Sequence, residues 1–203
     1  VSEVQLGERT MLGTLFEFVD GEYVDHSRAS DAHLMGVELA TLHDTLDRLP
    51  RCDIPLVPAL SVMNFGRPTD ELQLLHGDFS DQNLRNQGGR LRIFDFDDCG
   101  YGPRAFDVAN SLYMVLFDEM VDGSDGLDSY GQFEVAFLAG YRSGAGSDSV
   151  DSDDLLRFVD LRVSALQAWL DDLASAPPGI RTSTPQWHAT LRRFIERYMQ
   201  RRE

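Results

Sequence analysis

The chain contains no lysine: all 18 of its Lys-plus-Arg residues are arginine. Set against 34 Asp and Glu, that leaves a formal net charge of −16 over 203 residues. A protein that grips a phosphate backbone presents a basic face, so this balance argues against a nucleic-acid partner. It is compatible with a cationic small molecule, and a solvated acidic surface explains it equally well. Cysteine is scarce. Cys52 and Cys99 make neither a zinc-ligand spacing nor a disulfide framework, and free thiols in a reducing compartment are the expectation. No apolar run is long enough to span a bilayer and the start carries no signal-peptide pattern, so a soluble, cytoplasmic protein without a membrane partner is expected. Repeats and low-complexity blocks are also missing. With 42% hydrophobic residues, the chain can bury one good core, as a single domain or one large lobe.

What is present concentrates in Leu74-Leu75-His76-Gly77-Asp78-Phe79-Ser80-Asp81-Gln82-Asn83 and in Ile93-Phe94-Asp95-Phe96-Asp97-Asp98. A phosphoryl-transfer site needs a carboxylate to orient and deprotonate an attacking hydroxyl, an amide oxygen to help hold Mg²⁺, and a second carboxylate on that metal. Asp78, Asn83 and Asp95 supply these in the required order, and His76-x-Asp78 followed by four residues and Asn83 has the spacing of a protein-kinase catalytic loop. Leu84-Arg85 and Leu91 to Phe94 read as two short strands around a Gln87-Gly88-Gly89 turn, which brings Asn83 and Asp95 side by side. If the second strand persists, Asp97 faces the same way as Asp95 and adds charge to the metal site. Asp98 then faces the opposite way and is as well read as a capping residue.

Together with Phe106-Asp107-Val108-Ala109, these motifs resemble the aminoglycoside phosphotransferase and choline kinase-like family, which has a protein-kinase-like fold. The resemblance implies an α+β, mostly helical large lobe with short β-hairpins. Residues 1–20 would be the end of the small nucleotide-binding lobe and residues 21–203 the helical catalytic and substrate lobe. It implies Asp78 as catalytic base, Asn83 and Asp95 as Mg²⁺ ligands, and Asp107 as a brace of the catalytic segment, with His76 supporting the loop. Phe16, Glu17, Phe18 and Val19 resemble the inter-lobe linker that meets the adenine edge. In relatives the later helices wall the acceptor pocket, so Trp169, Asp171, Asp172 and Trp187 are candidate substrate contacts beside Asp97; aromatic rings near carboxylates suit a cationic amine. Gln82 departs from the Gly or other small residue that relatives often carry before the Asn.

The implied activity is transfer of the γ-phosphoryl of ATP or GTP, with Mg²⁺, to a hydroxyl of an aminoglycoside-, choline- or homoserine-like small molecule. A stress-response-type Ser/Thr protein kinase and a non-catalytic binding module are the alternatives. Relatives also use a small-lobe lysine and a Gly-rich loop, neither of which occurs here, and the chain starts with Val1. The simplest account is a chain that begins late in the nucleotide lobe and is inactive, or nearly so, by itself.

The remaining elements follow from hydrophobic period. Val4 to Leu6 and Met11 to Val19 are expected as strands. Helices are expected over 31–49, capped by Asp31 and facing inward through Met35, Leu39, Leu42, Leu46 and Leu49, and over 107–120, 130–142, 153–174 and 185–201. His43 on the first is read as a buried, hydrogen-bonded structural histidine. Residues 50–70 read as a wandering connection, and Gly100 to Pro103 as a turn cluster. Cys99, close to the proposed ligands, is a position where alkylation would be expected to interfere.

Overall fold

The computed structural model describes residues 2–6, 9–13, 17–62, 72–121, 127–144 and 150–202. A hairpin, β1 (Ser2–Leu6) and β2 (Arg9–Gly13), leads the chain with Val4 opposite Met11. The expected second strand reaches no further among the described residues, since 17–20 carry no regular structure. After β3 (Glu22–Tyr23), helix α1 (Ala29–Asp47) begins two residues before Asp31. Asp31 is therefore not the N-cap: Arg28 holds that place without a side-chain bond, and the Asp31 carboxylate accepts from Asp25 N at 3.2 Å.

The inward face of α1 is also rotated from the one expected. Ala32, Met35, Gly36, Leu39, Ala40 and His43 are buried, whereas Leu42 and Leu46 are only half-buried and Leu49, beyond the helix, is exposed. The cause is the partner helix α4 (Leu127–Ser143). A Cβ on Gly36 would lie 2.1 Å from Phe137 O, and one on Gly140 would lie 2.0 Å from His33 O, so the two backbones touch where neither side has a side chain. Small residues thus define the contact line, and the leucines flank it.

Within 50–70, α2 (Pro58–Val62) gives regular structure to part of the stretch read as irregular, and its Ala59 and Leu60 are buried. Strand β4 (Gln73–Leu75) then pairs antiparallel with β7 (Gly100–Gly102), with Leu74 opposite Tyr101. The Gly100 to Pro103 cluster is therefore a strand in its first three residues, held further by bonds between Val57 N and Tyr101 O and between Tyr101 N and Pro55 O. Between these strands lie β5 (Leu84–Gln87) and β6 (Arg90–Ile93), joined by Gly88-Gly89, both at positive φ, in the two-residue turn that matches strand twist. β3 adds to the β5 edge.

Helices α3 (Arg104–Val121), α5 (Ser152–Asp171) and α7 (Pro185–Arg202) complete the lobe, with a short α6 (Pro178–Arg181) in the connection before α7. α3 runs through the centre, packing on α4, α5 and α7, and buries Val108, Leu112, Val115 and Leu116 as their period required. Phe133, Phe137 and Tyr141 of α4 are buried, as are Leu155, Val159, Leu166 and Trp169 of α5 and Leu191, Phe194, Ile195 and Tyr198 of α7. The observed architecture is the mostly helical lobe with short antiparallel pairs that the sequence led one to expect.

Candidate active site

Strand β4 hands the chain to the loop 76–83, and the first turn of α3 pins that loop from below. Asp107 is fully buried, and its carboxylate accepts from His76 N and Gly77 N, each at 2.9 Å, and from His43 Nε2 at 3.2 Å. Three donors offset the cost of burying its charge. His43 Nδ1 lies 2.9 Å from the Tyr141 hydroxyl. Burial pushes that phenol up to about 12, so Tyr141 keeps its proton and donates to Nδ1 while His43 donates from Nε2 to Asp107. His43 is thus the buried, bonded histidine expected, and Asp107 occupies the bracing position. Gly77 is forced by geometry: its φ is +86°, and a Cβ there would stand 2.1 Å from Asp98 O.

His76 ties the loop to the end of β6. Its Nδ1 accepts from Asp78 N at 3.3 Å and its Nε2 donates to Phe94 O at 3.1 Å, with the ring packed between Phe79 and Phe96. Asp78 is then held through both carboxylate oxygens. Asn83 Nδ2 donates to Oδ2 at 3.1 Å and to the Asp78 carbonyl at 2.9 Å, and Asn110 Nδ2 of α3 donates to Oδ1 at 3.3 Å. Asn110 carried no signal in the sequence, since nothing local to α3 says that its second turn meets a loop 32 residues earlier. Its Oδ1, like Ser80 Oγ, is buried with no hydrogen-bond partner among the described residues.

At the open end of the hairpin, Phe94 N donates to Asn83 O at 3.2 Å, which leaves Asp95 as the next residue beyond that bond. β6 stops at Ile93, so the strand does not carry Asp95 to Asp98 as expected; Asp95 instead takes a left-handed φ of 64° that only a few non-glycine residues adopt. Asp95 and Asp97 nonetheless line one cleft of about 1000 Å³, and Glu17, Phe18 and Val19 form its other side. Phe16 lies outside the described residues. Arg85 stands in the same cleft, its guanidinium 4.0 Å from the Tyr23 ring centroid and 5.2 Å from that of Phe94. Asp98 stays exposed beside the loop; partial desolvation raises its pKa, the Asp78 carboxylate adds to this, Arg162 opposes it, and Asp95 and Asp97 add smaller increments.

The donors suit a divalent cation. Asn83 commits its nitrogen to Asp78, which leaves Oδ1 as the atom it could offer, and Asp95 and Asp97 carry carboxylates on the cleft wall that could join it. An all-oxygen set fits Mg²⁺ or Ca²⁺ rather than a thiolate- or imidazole-seeking metal. Cys99 is a poor target for alkylation, because burial pushes its thiol up and lowers its thiolate fraction.

Further along α3, Trp169 and Trp187 line a cavity of about 150 Å³ together with Tyr113, Phe117 and Arg162. Asp171 and Asp172 are not among its walls. Both are exposed: Asp171 pairs with Arg192 at 3.2 Å, and Asp172 caps α5 and accepts from Ala174 N. The carboxylates expected beside the aromatic rings therefore face solvent.

A second anchor of the loop escaped the sequence. His26 Nδ1 meets Asp81 Oδ2 at 2.6 Å, with Glu119 Oε1 3.9 Å from Nε2. The ligand-type atoms of His26, Asp81 and Asp118 lie within 4.8 Å of one another. The hydrogen bond to Asp81 raises the His26 pKa against the opposing effect of burial, and Asp81, Asp118 and Glu119 add charge attraction. The imidazole thus finds its partner within the cluster itself.

The sequence profile of the phosphotransferase enzyme family matches residues 28–147, well over half of the chain. The chain belongs to the phosphotransferase enzyme family. That match spans Asp78, Asn83, Asp95 and Asp107 and stops before α5. The chain is 33% identical over 72 residues to amicoumacin kinase of Bacillus subtilis (strain 168), a stretch covering 36% of this chain and 21% of that protein. It also superposes on the structure of amicoumacin kinase hAmiN in complex with AMP-PNP, Ca²⁺ and Ami, with a TM-score of 0.66 and 21% identity over 89% of this chain and 62% of that one. At that identity the likeness establishes the kinase-like fold. The chain spans less than two thirds of the length of either relative.

Proposed function

We propose that the protein transfers the γ-phosphoryl group of ATP or GTP to a hydroxyl of a small molecule. The observation that carries this reading is the grip on Asp78: amide donors from Asn83 and Asn110 hold its two oxygens, at 3.1 and 3.3 Å. Such a carboxylate is aimed by groups that cannot take its proton, which is what a base for an attacking hydroxyl needs. The loop that bears it is anchored to a buried aspartate.

In this reading the nucleotide occupies the cleft of Glu17, Phe18, Val19 and Asp95, with the base edge against the backbone of 17–19. Residues 1–20 then belong to the nucleotide lobe and 21–203 to the catalytic and acceptor lobe. Asn83 and Asp95 would hold Mg²⁺, with Asp97 adding charge nearby. When bound, the cation offsets negative charge on the phosphate oxygens. The chain's own contribution is positional: Asp107 fixes the loop backbone, His76 fixes the loop against β6, and Asp78 accepts the hydroxyl proton. The phosphoryl donor is a cytoplasmic metabolite, and among the described residues no helix is long and apolar enough to cross a membrane.

The test is Asp78→Asn in the full-length protein, assayed with Mg²⁺-nucleotide and a panel of hydroxyl compounds. Turnover is expected to fall by about 10²–10⁴-fold with nucleotide binding unchanged. Wild-type turnover in that variant would remove Asp78 from its role.

A further inference from the structure

Three surfaces near the loop invite a ligand: the wide cleft, the His26 cluster and the cavity walled by Trp169 and Trp187. The first belongs to the nucleotide reading and the second is satisfied internally. The third is unassigned. Its walls come from four helices: Tyr113 and Phe117 from α3, Leu166 and Trp169 from α5, Ile180 from α6, and Trp187 from α7. The volume is about 150 Å³, a size at which an apolar cavity accepts a benzene ring.

One wall residue is charged. The Arg162 guanidinium carbon lies 5.1 Å from the Tyr113 ring centroid, and its Nε is buried with no hydrogen-bond partner among the described residues. A buried N–H of this kind costs free energy until something accepts from it. The cavity also adjoins the proposed chemistry. Asn110, which holds Asp78, is one helical turn from Met114 on the cavity wall, so the rise between them is about 5–6 Å.

We infer that this cavity selects the acceptor by a single aromatic or alicyclic ring seated between the tryptophans, bearing a carboxylate or carbonyl oxygen that accepts from Arg162 and a hydroxyl directed toward Asp78. The inference rests on the phosphotransferase reading for the hydroxyl, but not for the ring or the oxygen. It also reverses the expectation drawn from the tryptophans and Asp171-Asp172: the charge that meets the ring is positive, and a ring whose substituent is an amine leaves Arg162 Nε unpaired.

The experiment compares two probes that differ in one group, para-(hydroxymethyl)benzoate and para-(hydroxymethyl)benzylamine. Each is titrated without nucleotide into the unaltered chain while tryptophan emission is followed. The benzoate is expected to bind at least about tenfold more tightly, the factor an added hydrogen bond to a charged group provides. In Arg162→Gln, with helix content checked by circular dichroism, the two affinities are expected to converge. Equal or tighter binding of the benzylamine, or tryptophan emission unmoved by both probes, overturns the inference, and neither result depends on a variant that folds. Turnover is read separately. Ring binding without phosphorylation of any hydroxyl compound would keep the cavity's preference and remove the reaction, whereas phosphorylation of a polyamine alcohol with no ring binding would do the reverse.

Discussion

The loop that carries Asp78 is tethered at two places, and the two tethers differ in kind. At its start, Asp107, His43 and Tyr141 form a chain with no solvent access to Asp107 or His43. Near its end, Asp81 meets His26 at the rim, where the two side chains keep 14% and 21% of their exposure. The buried tether has backbone donors, a proton arrangement set by burial, and no competing water. The rim tether has one short hydrogen bond and three acidic neighbours whose attraction is screened by solvent. Similar residue types therefore make a permanent joint in one place and a titrating one in the other.

Removing the buried anchor should cost most. Asp107→Ala leaves His43 and two backbone N–H groups buried without an acceptor, and chemical denaturation is expected to show a loss of about 3–5 kcal/mol. Gly77→Ala comes next. It keeps every donor but places a Cβ against Asp98 O at a positive φ, so a loss of about 2–3 kcal/mol is expected with nucleotide-independent ring binding retained. Tyr141→Phe removes only the donor to His43 Nδ1 and is expected to cost about 1–2 kcal/mol in the same assay. Should it match Asp107→Ala, the chain of bonds would be a single unit rather than a hierarchy.

The rim tether yields the smallest effect and the only one that depends on pH. Because His26 is raised by its partner, its contribution is complete below the ordinary value of 6.5 and fades as pH climbs through the higher value it has in the folded protein. The melting temperature of the wild type should therefore exceed that of His26→Asn most at about pH 6 and least at about pH 9. A difference that is flat across that window would mean that His26 acts by packing against Phe133 alone.

Legibility in the sequence followed the range of each interaction. The inward faces of α3 and α4 came from period, because burial along one helix repeats with its own turn. The face of α1 did not, since Gly36 and Gly140 place its contact line where hydrophobicity is low. The tryptophans of the late helices do line one cavity, but the charged residue that lines it with them is Arg162 rather than Asp171 or Asp172. Asp171 and Asp172 are adjacent to Trp169 in the chain, whereas Arg162 reaches the cavity from two turns earlier on α5.

The sequence alone determined the order and spacing of Asp78, Asn83 and Asp95, because a short loop and a two-residue hairpin turn leave the backbone few ways to run between them. Tertiary structure decided the partners of those residues. Asn110 meets Asp78 across 32 positions, His43 meets Asp107 across 64 and His26 meets Asp81 across 55. Such meetings depend on which helix faces pack together, and that choice is made by burial over the whole lobe rather than by any local run of residues.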